Sequence, residues 1–313
     1  VSDDTHPHTL VTEGHMDHIL RRAVAEGIDP ITALQMVTIN TATCFRMDHE
    51  MGSVTPGKCA DLVLLRDLDG FEATRVFIDG VEVARDGRLT AEPTPFAYPV
   101  WVTHSMHVRD AITPQTFTLA APEGASAVEL RVIEVIPSRV GNYERHLTFE
   151  VKDGTLQSDL AQDALKTFVF ERHHKTGSVG AGFVKGFGIT SGALASTVAH
   201  DAHNLLVMGS NDADMALAAN TLIAGGGGMV AVRDGEVLGH VSLPIAGLMD
   251  NRSAEEMAAS VAALQQAWVK MGCTLESPFM TLALVPLACL PELRLTNRGL
   301  VDCTTFCLVD LMV

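Results

Sequence analysis

Basic side chains are scarce. Lys and Arg number 22 against 38 Asp and Glu, a formal net charge of -16 at pH 7. A surface of that sign repels a phosphate backbone and an anionic membrane alike, so neither nucleic acid nor a lipid surface is expected as a partner. Charged residues make up only 19% of the chain against 47% hydrophobic, below the roughly 25% charged of ordinary soluble domains. Such a chain is expected to be covered in part by further chain or other subunits, and so to form a homo-oligomer. Long apolar runs are missing as well. The longest, Met280 to Leu290, is interrupted by Thr281 and Pro286 and falls short of the ~20 residues of a membrane-spanning helix. The start, Val1-Ser2-Asp3-Asp4, carries no Met, basic stretch or apolar segment of a secretory signal. A cytoplasmic location is therefore expected. The six cysteines (Cys44, Cys59, Cys273, Cys289, Cys303, Cys307) show no CxxC spacing, and buried free thiols in a reducing compartment are the expected reading.

Length predicts two domains, each able to bury a core. From His15 to Glu26, Met16, Ile19, Leu20, Ala23 and Val24 follow a helical period, with Gly27 placed to cap it. Asp29-Pro30 reads as cap and first residue of a second helix, and Thr41 as the opener of a short third turn. From Met51 the texture becomes strand-like: Ala60 to Leu65, then Val76 to Ile78 and Val81 to Val83 flanking the hairpin dipeptide Asp79-Gly80. Prolines 93, 95, 99, 114 and 122 predict an extended connection. Beyond it, strand-like runs (128–136, 147–151, 167–170, 193–198, 205–208) alternate with helical ones (212–223, 254–271), and Asp234-Gly235 marks a second hairpin. Gly225 to Gly228 follows a helix and precedes a strand, the reverse of a phosphate cradle, and reads as a cap and tight connection. Met215, Met249, Met257, Met271 and Met280 are expected to fill the core.

Several blocks carry a resemblance. Ser2-Asp3-Asp4-Thr5-His6-Pro7, Glu13-Gly14-His15-Met16-Asp17-His18 and Pro56-Gly57-Lys58-Cys59-Ala60-Asp61-Leu62-Val63, in that order, resemble the end of an amidohydrolase-superfamily chain. Glu171 to Gly177, Gly182 to Gly188, Ala199-His200-Asp201-Ala202-His203-Asn204, Gly209 to Met215, Leu243 to Leu248 and Pro278 to Leu282 resemble the C-terminal domain of the adenine deaminase family. The resemblance implies an α/β protein: the C-terminal end of a (β/α)8 barrel over 1–50, returning β-sandwich strands over 51–92, an extended linker over 93–122, and a separate α+β C-terminal domain over 123–313. It also implies hydrolytic deamination of adenine to hypoxanthine and ammonia, with manganese or iron as cofactor.

By the same resemblance Asp3 is the metal ligand from the last barrel strand, and Asp4 a neighbour that contacts substrate or supports the site. A divalent metal lowers the pKa of bound water from ~15.7 to ~7, and a carboxylate ligand can then shuttle the proton. No HxH motif precedes Asp3, and one carboxylate cannot hold a catalytic metal, so the 313-residue chain by itself is expected to be an inactive fragment. His173, His174, His200, Asp201 and His203 are expected at a substrate-facing surface, with His200 and His203 open as a second metal site or, alternatively, as turn caps or interface residues. His6, His15 and His18 lie on or beside the first helix, His15 and His18 sharing a face; either these two form a ligand pair, or one of the three supports Asp3 while the others sit at an interface. Arg21 and Arg22 read as solvated or ion-paired. Two further readings stay open: a cyclic-amide hydrolase of the same superfamily, and a non-catalytic assembly or regulatory partner.

Overall fold

The amphipathic run at residues 16 to 25 forms a helix whose side chains meet those of its neighbours in the first of two compact units. The computed structural model describes residue 2 and residues 5–313, and the chain divides into Val1–Ala97 and Tyr98–Val313. In the first unit, α1 (Pro7–Thr12), α2 (Met16–Ala25), α3 (Pro30–Val37) and α4 (Ile39–Cys44) precede β1 (Leu62–Leu65), β2 (Ala73–Ile78), β3 (Val81–Arg85) and β4 (Arg88–Leu89). Asp29 caps α3 as expected, its carboxylate accepting the Thr32 N–H at 2.9 Å with Pro30 in the first turn. Thr41 opens nothing. It lies inside α4, which begins after Thr38, because that residue serves at once as the C-cap of α3 and the N-cap of α4. The four strands form an antiparallel meander, β1-β2-β3-β4, whose β2–β3 turn is Asp79-Gly80 with φ of 49° and 78°, the double left-handed geometry that this dipeptide favours. Leu20, Ala33 and Phe71 make a small core. Beside it an apolar groove of about 930 Å³ is lined by Leu20, Leu34, Ala42, Leu62, Leu65 and Phe71, among others.

The second unit is built on an eight-stranded sheet. Its elements are α5 (Val100–Thr103), β5 (Leu119–Ala120), β6 (Ala127–Val135), β7 (Asn142–Glu150), β8 (Thr155–Leu156), β9 (Ala164–Phe170), β10 (Val179–Lys185), β11 (Ala193–Ser196), β12 (Leu205–Gly209), α6 (Asp212–Gly225), β13 (Gly228–Arg233), β14 (Glu236–Ser242), α7 (Ala254–Lys270), α8 (Pro278–Leu284), β15 (Leu293–Thr296), β16 (Gly299–Asp302) and β17 (Cys307–Val309). The large sheet runs β14-β13-β11-β12-β9-β10-β6-β7, antiparallel except where β10 lies parallel to β6. It is a mixed sheet covered on both faces. Leu165 and Val169 of β9 join the core with Val261, Leu264 and Trp268 of α7, whereas Phe168 and Phe170 join the one with Met215, Ala219 and Leu222 of α6. This alternation explains why every residue of β9 is buried. The Gly225 to Gly228 run is the cap and connection expected: Gly226 takes φ 80° and β13 starts at Gly228.

Two core expectations need correction. Of the six thiols only Cys273 and Cys303 are buried; Cys307, for instance, lies in an edge strand whose burial is shallow. Met215 and Met271 are fully buried, but Met249 is 55% exposed, because it sits in a turn and not on a core face of α6 or α7. Among the described residues no helix is long and apolar enough to cross a membrane.

Candidate functional site

The second unit gathers the predicted histidines by strand register. Phe170 at the end of β9 pairs with Leu205 at the start of β12, so the segment after β9 (residues 171–178) and the one before β12 (197–204) emerge side by side. Residues about thirty apart in sequence thereby meet.

Glu171 organises the first segment. Its carboxylate accepts the backbone N–H groups of His173, of His174 at 2.8 Å and of Thr176 at 3.0 Å, and the Thr176 hydroxyl at 2.9 Å. Burial by itself would raise its pKa, but these hydrogen bonds to the charged form outweigh it and hold the group at about 2. Arg172 turns inward and is 1% exposed. Its Nε donates to His203 O at 2.6 Å, Nη1 to Ser105 O at 3.0 Å and Nη2 to Ala246 O at 2.9 Å. Desolvation lowers the guanidinium pKa to about 10, which leaves it charged at neutral pH. The Arg172 backbone is held from both sides, by Asn204 Oδ1 accepting its N–H at 3.3 Å and His107 N–H donating to its carbonyl at 2.8 Å.

The histidines surround this junction. His173 Nε2 lies 2.7 Å from Ala202 O, which fixes the proton on that nitrogen, and its ring is 6.2 Å from that of His174. The rings of His200 and His203 are 5.4 Å apart, edge to face, and His200 Nδ1 is 3.7 Å from an oxygen of the exposed Asp201. Burial, then the neighbouring His200 and the Arg172 charge, lower the His203 pKa, so its imidazole is neutral near pH 7 and offers a lone pair. Nδ1 of His203 is buried and makes no hydrogen bond among the described residues. Buried Asn204 donates through Nδ2 to Asn297 Oδ1 at 3.2 Å, and Ser178 Oγ donates to Asn297 O at 2.6 Å, tying the β15–β16 turn to the same end of the sheet. All five histidine-segment residues singled out from sequence thus stand around one junction. The residues that build it, Arg172, Ser105, Ala246 and Asn297, had no assigned role. The signal for Arg172 was slight: an arginine two residues past the apolar strand end Phe168-Val169-Phe170, between Glu171 and His173.

Among the described residues of the first unit, His15 and His18 turn to different partners. His15 Nε2 contacts Ser2 Oγ, while His18 Nε2 is 3.4 Å from Glu13 Oε2. Arg21 and Arg22 are ion-paired, to Asp17 at 2.8 Å and Glu26 at 2.6 Å. Asp3 and Asp4 lie outside the described residues. Among the described residues no group of three or more His, Cys, Asp or Glu side chains is arranged to hold a metal ion.

Comparison with known proteins places this architecture. Residues 2–83 match the amidohydrolase family, the class of protein to which the first unit is related. Residues 140–307, more than half of the chain, match the adenine deaminase C-terminal domain. The chain belongs to that family. Over all 313 residues it is 63% identical to the adenine deaminase of Clostridium botulinum strain Loch Maree, covering 52% of that protein. It is 53% identical over 312 residues to the adenine deaminase of Moorella thermoacetica and 42% identical over 313 residues to that of Mesorhizobium japonicum, again covering 52% of each. The chain therefore spans about half the length of the curated relatives it matches.

Proposed function

We propose that this chain is the C-terminal portion of an adenine deaminase, which hydrolyses adenine to hypoxanthine and ammonia. The single observation carrying the reading is the 63% identity over all 313 residues, which takes in both units. In this reading residues 1–50 are the end of a (β/α)8 barrel, 51–92 are returning sandwich strands, 93–122 are a linker, and 123–313 form the family's C-terminal domain. The apolar groove of the first unit is the face against which the rest of the barrel packs, which accounts for exposed Phe45, Val54 and Val63 along it.

The reaction adds water to C6 of the purine; the tetrahedral carbon then expels its amino nitrogen, protonated, as ammonia. Asp3 is the carboxylate we assign to carrying the water proton to that nitrogen, with Asp4 beside it, and His173, His174, His200, Asp201 and His203 to the substrate-facing surface. The family implies a divalent metal, manganese or iron. The described residues do not by themselves fit one, since the His200–His203 pair has no third ligand, and a metal centre would need Asp3 together with groups carried by the other half of such an enzyme. A cytoplasmic homo-oligomer is the form we propose, from the acidic, apolar-rich composition.

The test is to complete the enzyme, by joining this chain to the N-terminal half of its Clostridium relative, and to follow adenine loss in the ultraviolet. Turnover by the completed enzyme, none by the 313-residue chain, and loss of turnover in Asp3→Asn are expected. A completed, folded enzyme inert toward adenine would sink the reading.

A further inference from the structure

Two arginines of the second unit are buried and bonded almost wholly to carbonyl oxygens, the exception being Ser105 Oγ, which accepts from Arg172 Nη1 at 3.3 Å. Arg294, 2% exposed, donates to Leu290 O, Leu284 O and Val140 O, knitting the end of α8 to the sheet. Arg172 does the same chemistry in a different place. Its three donors reach Ser105, His203 and Ala246, which belong to three separate segments, and the second of these carries His200 and His203. Among the described residues no carboxylate forms an ion pair with it; the adjacent Glu171 spends its oxygens on its own segment. Gly247 lies so close that a Cβ there would come within 2.8 Å of the guanidinium. A planar guanidinium can serve three carbonyls in fixed directions, whereas a lysine ammonium on a flexible stem cannot.

Resting on the deaminase reading, we propose that Arg172 is a positioning residue for that site, fixing the segment of His200 and His203 against the segments of Ser105 and Ala246. His203 is then held by its own carbonyl and not by its Nδ1, which is buried and makes no hydrogen bond among the described residues. Arg294 is the built-in comparison, because it is buried in the same manner but bonds no carbonyl of the segment that carries His200 and His203.

The experiment compares Arg172→Ala, Arg172→Lys and Arg294→Ala in the completed enzyme. Since a misplacement of 1 Å can cost ~100-fold, Arg172→Ala and Arg172→Lys are expected to lose about tenfold or more in kcat/KM for adenine. Millimolar guanidinium chloride is expected to restore much of that loss in Arg172→Ala, with sodium chloride ineffective, and to restore none in Arg172→Lys, whose side chain fills the site. Arg294→Ala is expected to lower the melting temperature while the folded enzyme keeps kcat/KM within about twofold. Independently of activity, hydrogen exchange in the 313-residue chain is expected to quicken in residues 197–204 and 244–250 of Arg172→Ala, with β9 and β12 still protected. Wild-type kcat/KM in Arg172→Lys, equal loss of kcat/KM in Arg294→Ala, absence of guanidinium rescue, or unchanged exchange overturns the proposal. If Arg172→Ala does not fold, Arg172→Lys carries the kinetic test. If the wild-type completed enzyme does not act on adenine, the deaminase reading fails, and the exchange result still decides whether Arg172 fixes these segments.

Discussion

Replacing Glu171 by Gln removes one charge and little volume, and the structure gives the size of the effect. The carboxylate ionises at about 2 in the folded chain against 4.5 for an ordinary Glu. A tenfold change in an ionisation constant corresponds to about 1.4 kcal/mol, so the gap between these two values makes the charged form contribute about 3 kcal/mol at pH 7. The sign follows from the depressed value. That stability is fully present above the unfolded pKa and is lost as pH falls through the folded one, so the window runs from about pH 5 down to about pH 2. Linkage leaves about 1 kcal/mol of it at pH 3. Other carboxylates titrate in this range, but they cancel in the difference between wild type and Glu171→Gln. The chain suits the assay, because both of its tryptophans, Trp101 and the fully buried Trp268, belong to the second unit. Urea unfolding followed by tryptophan emission therefore reports on the unit that holds Glu171. The expected result is a stability difference that stays level from pH 7 to about pH 5 and then shrinks toward pH 3. A difference that stays constant with pH would show that the nest of N–H groups does not favour the ionised carboxyl, and the reasoning would be refuted.

Other perturbations have equally definite outcomes. Lys166 is fully buried in β9, with Nζ donating to Phe117 O at 3.0 Å and Gln157 Oε1 at 3.2 Å and lying 2.6 Å from Asp212 Oδ1. Asp212→Asn leaves that ammonium without its counter-ion and is expected to cost about 3 kcal/mol, part of which Lys166→Met in the same chain recovers; urea midpoints of the two singles and the double check this. Gly228→Ala, at φ 134° with a Cβ 2.1 Å from Val241 O, is expected to cost about 3 kcal/mol or more by forcing the β13–β14 pair apart. Gly235→Ala, at φ 78° with open space around it, is expected to cost only about 1–2 kcal/mol of backbone strain by the same measurement. Trp268→Ala, which empties the space beside Phe279 at 4.9 Å between rings, is expected to cost about 3–5 kcal/mol, read by circular dichroism melting.

What was legible in the sequence was whatever has a local cause. The two Asp-Gly hairpins could be placed because their backbone angles suit few other dipeptides, and Asp29-Pro30 because cap and ring act within one turn. Strand β10 was not legible. Its sequence, Val179-Gly-Ala-Gly-Phe-Val-Lys185, spends two positions on glycine, which weakens any strand signal. The structure shows why they are there: a Cβ on Gly180 would lie 1.9 Å from Thr296 O and one on Gly182 would meet Leu300 at 3.2 Å, so the β15–β16 hairpin packs directly on β10. That reason sits over a hundred residues away. The histidine cluster was half legible. A His-Asp-Ala-His run after an apolar strand can be noticed, but its meeting with His173 depends on the Phe170–Leu205 register. Arg172 was hidden because an arginine between a glutamate and two histidines reads as solvated surface, and arginine is rarely buried.

Glu171 and Arg172 are opposite charges on adjacent residues, and the natural assumption is an ion pair. The structure separates them. The carboxylate is taken up by N–H groups of its own segment, the guanidinium by carbonyls of three others, and the two share no partner. Each charge is thus solvated by backbone dipoles, and each fixes a different part of the junction: Glu171 shapes 171–176, and Arg172 sets where that segment stands against the ones bearing His203, Ser105 and Ala246. A pair bonded to each other would have satisfied both charges and anchored nothing else. Separate satisfaction predicts a specific failure pattern. Glu171→Gln should loosen its own segment in hydrogen exchange and leave 244–250 protected, while Arg172→Ala should loosen 244–250 and leave the turn at 173–176 closed. If either substitution loosened both regions equally, the two residues would be acting as one pair, and the division of labour assigned to them would be wrong.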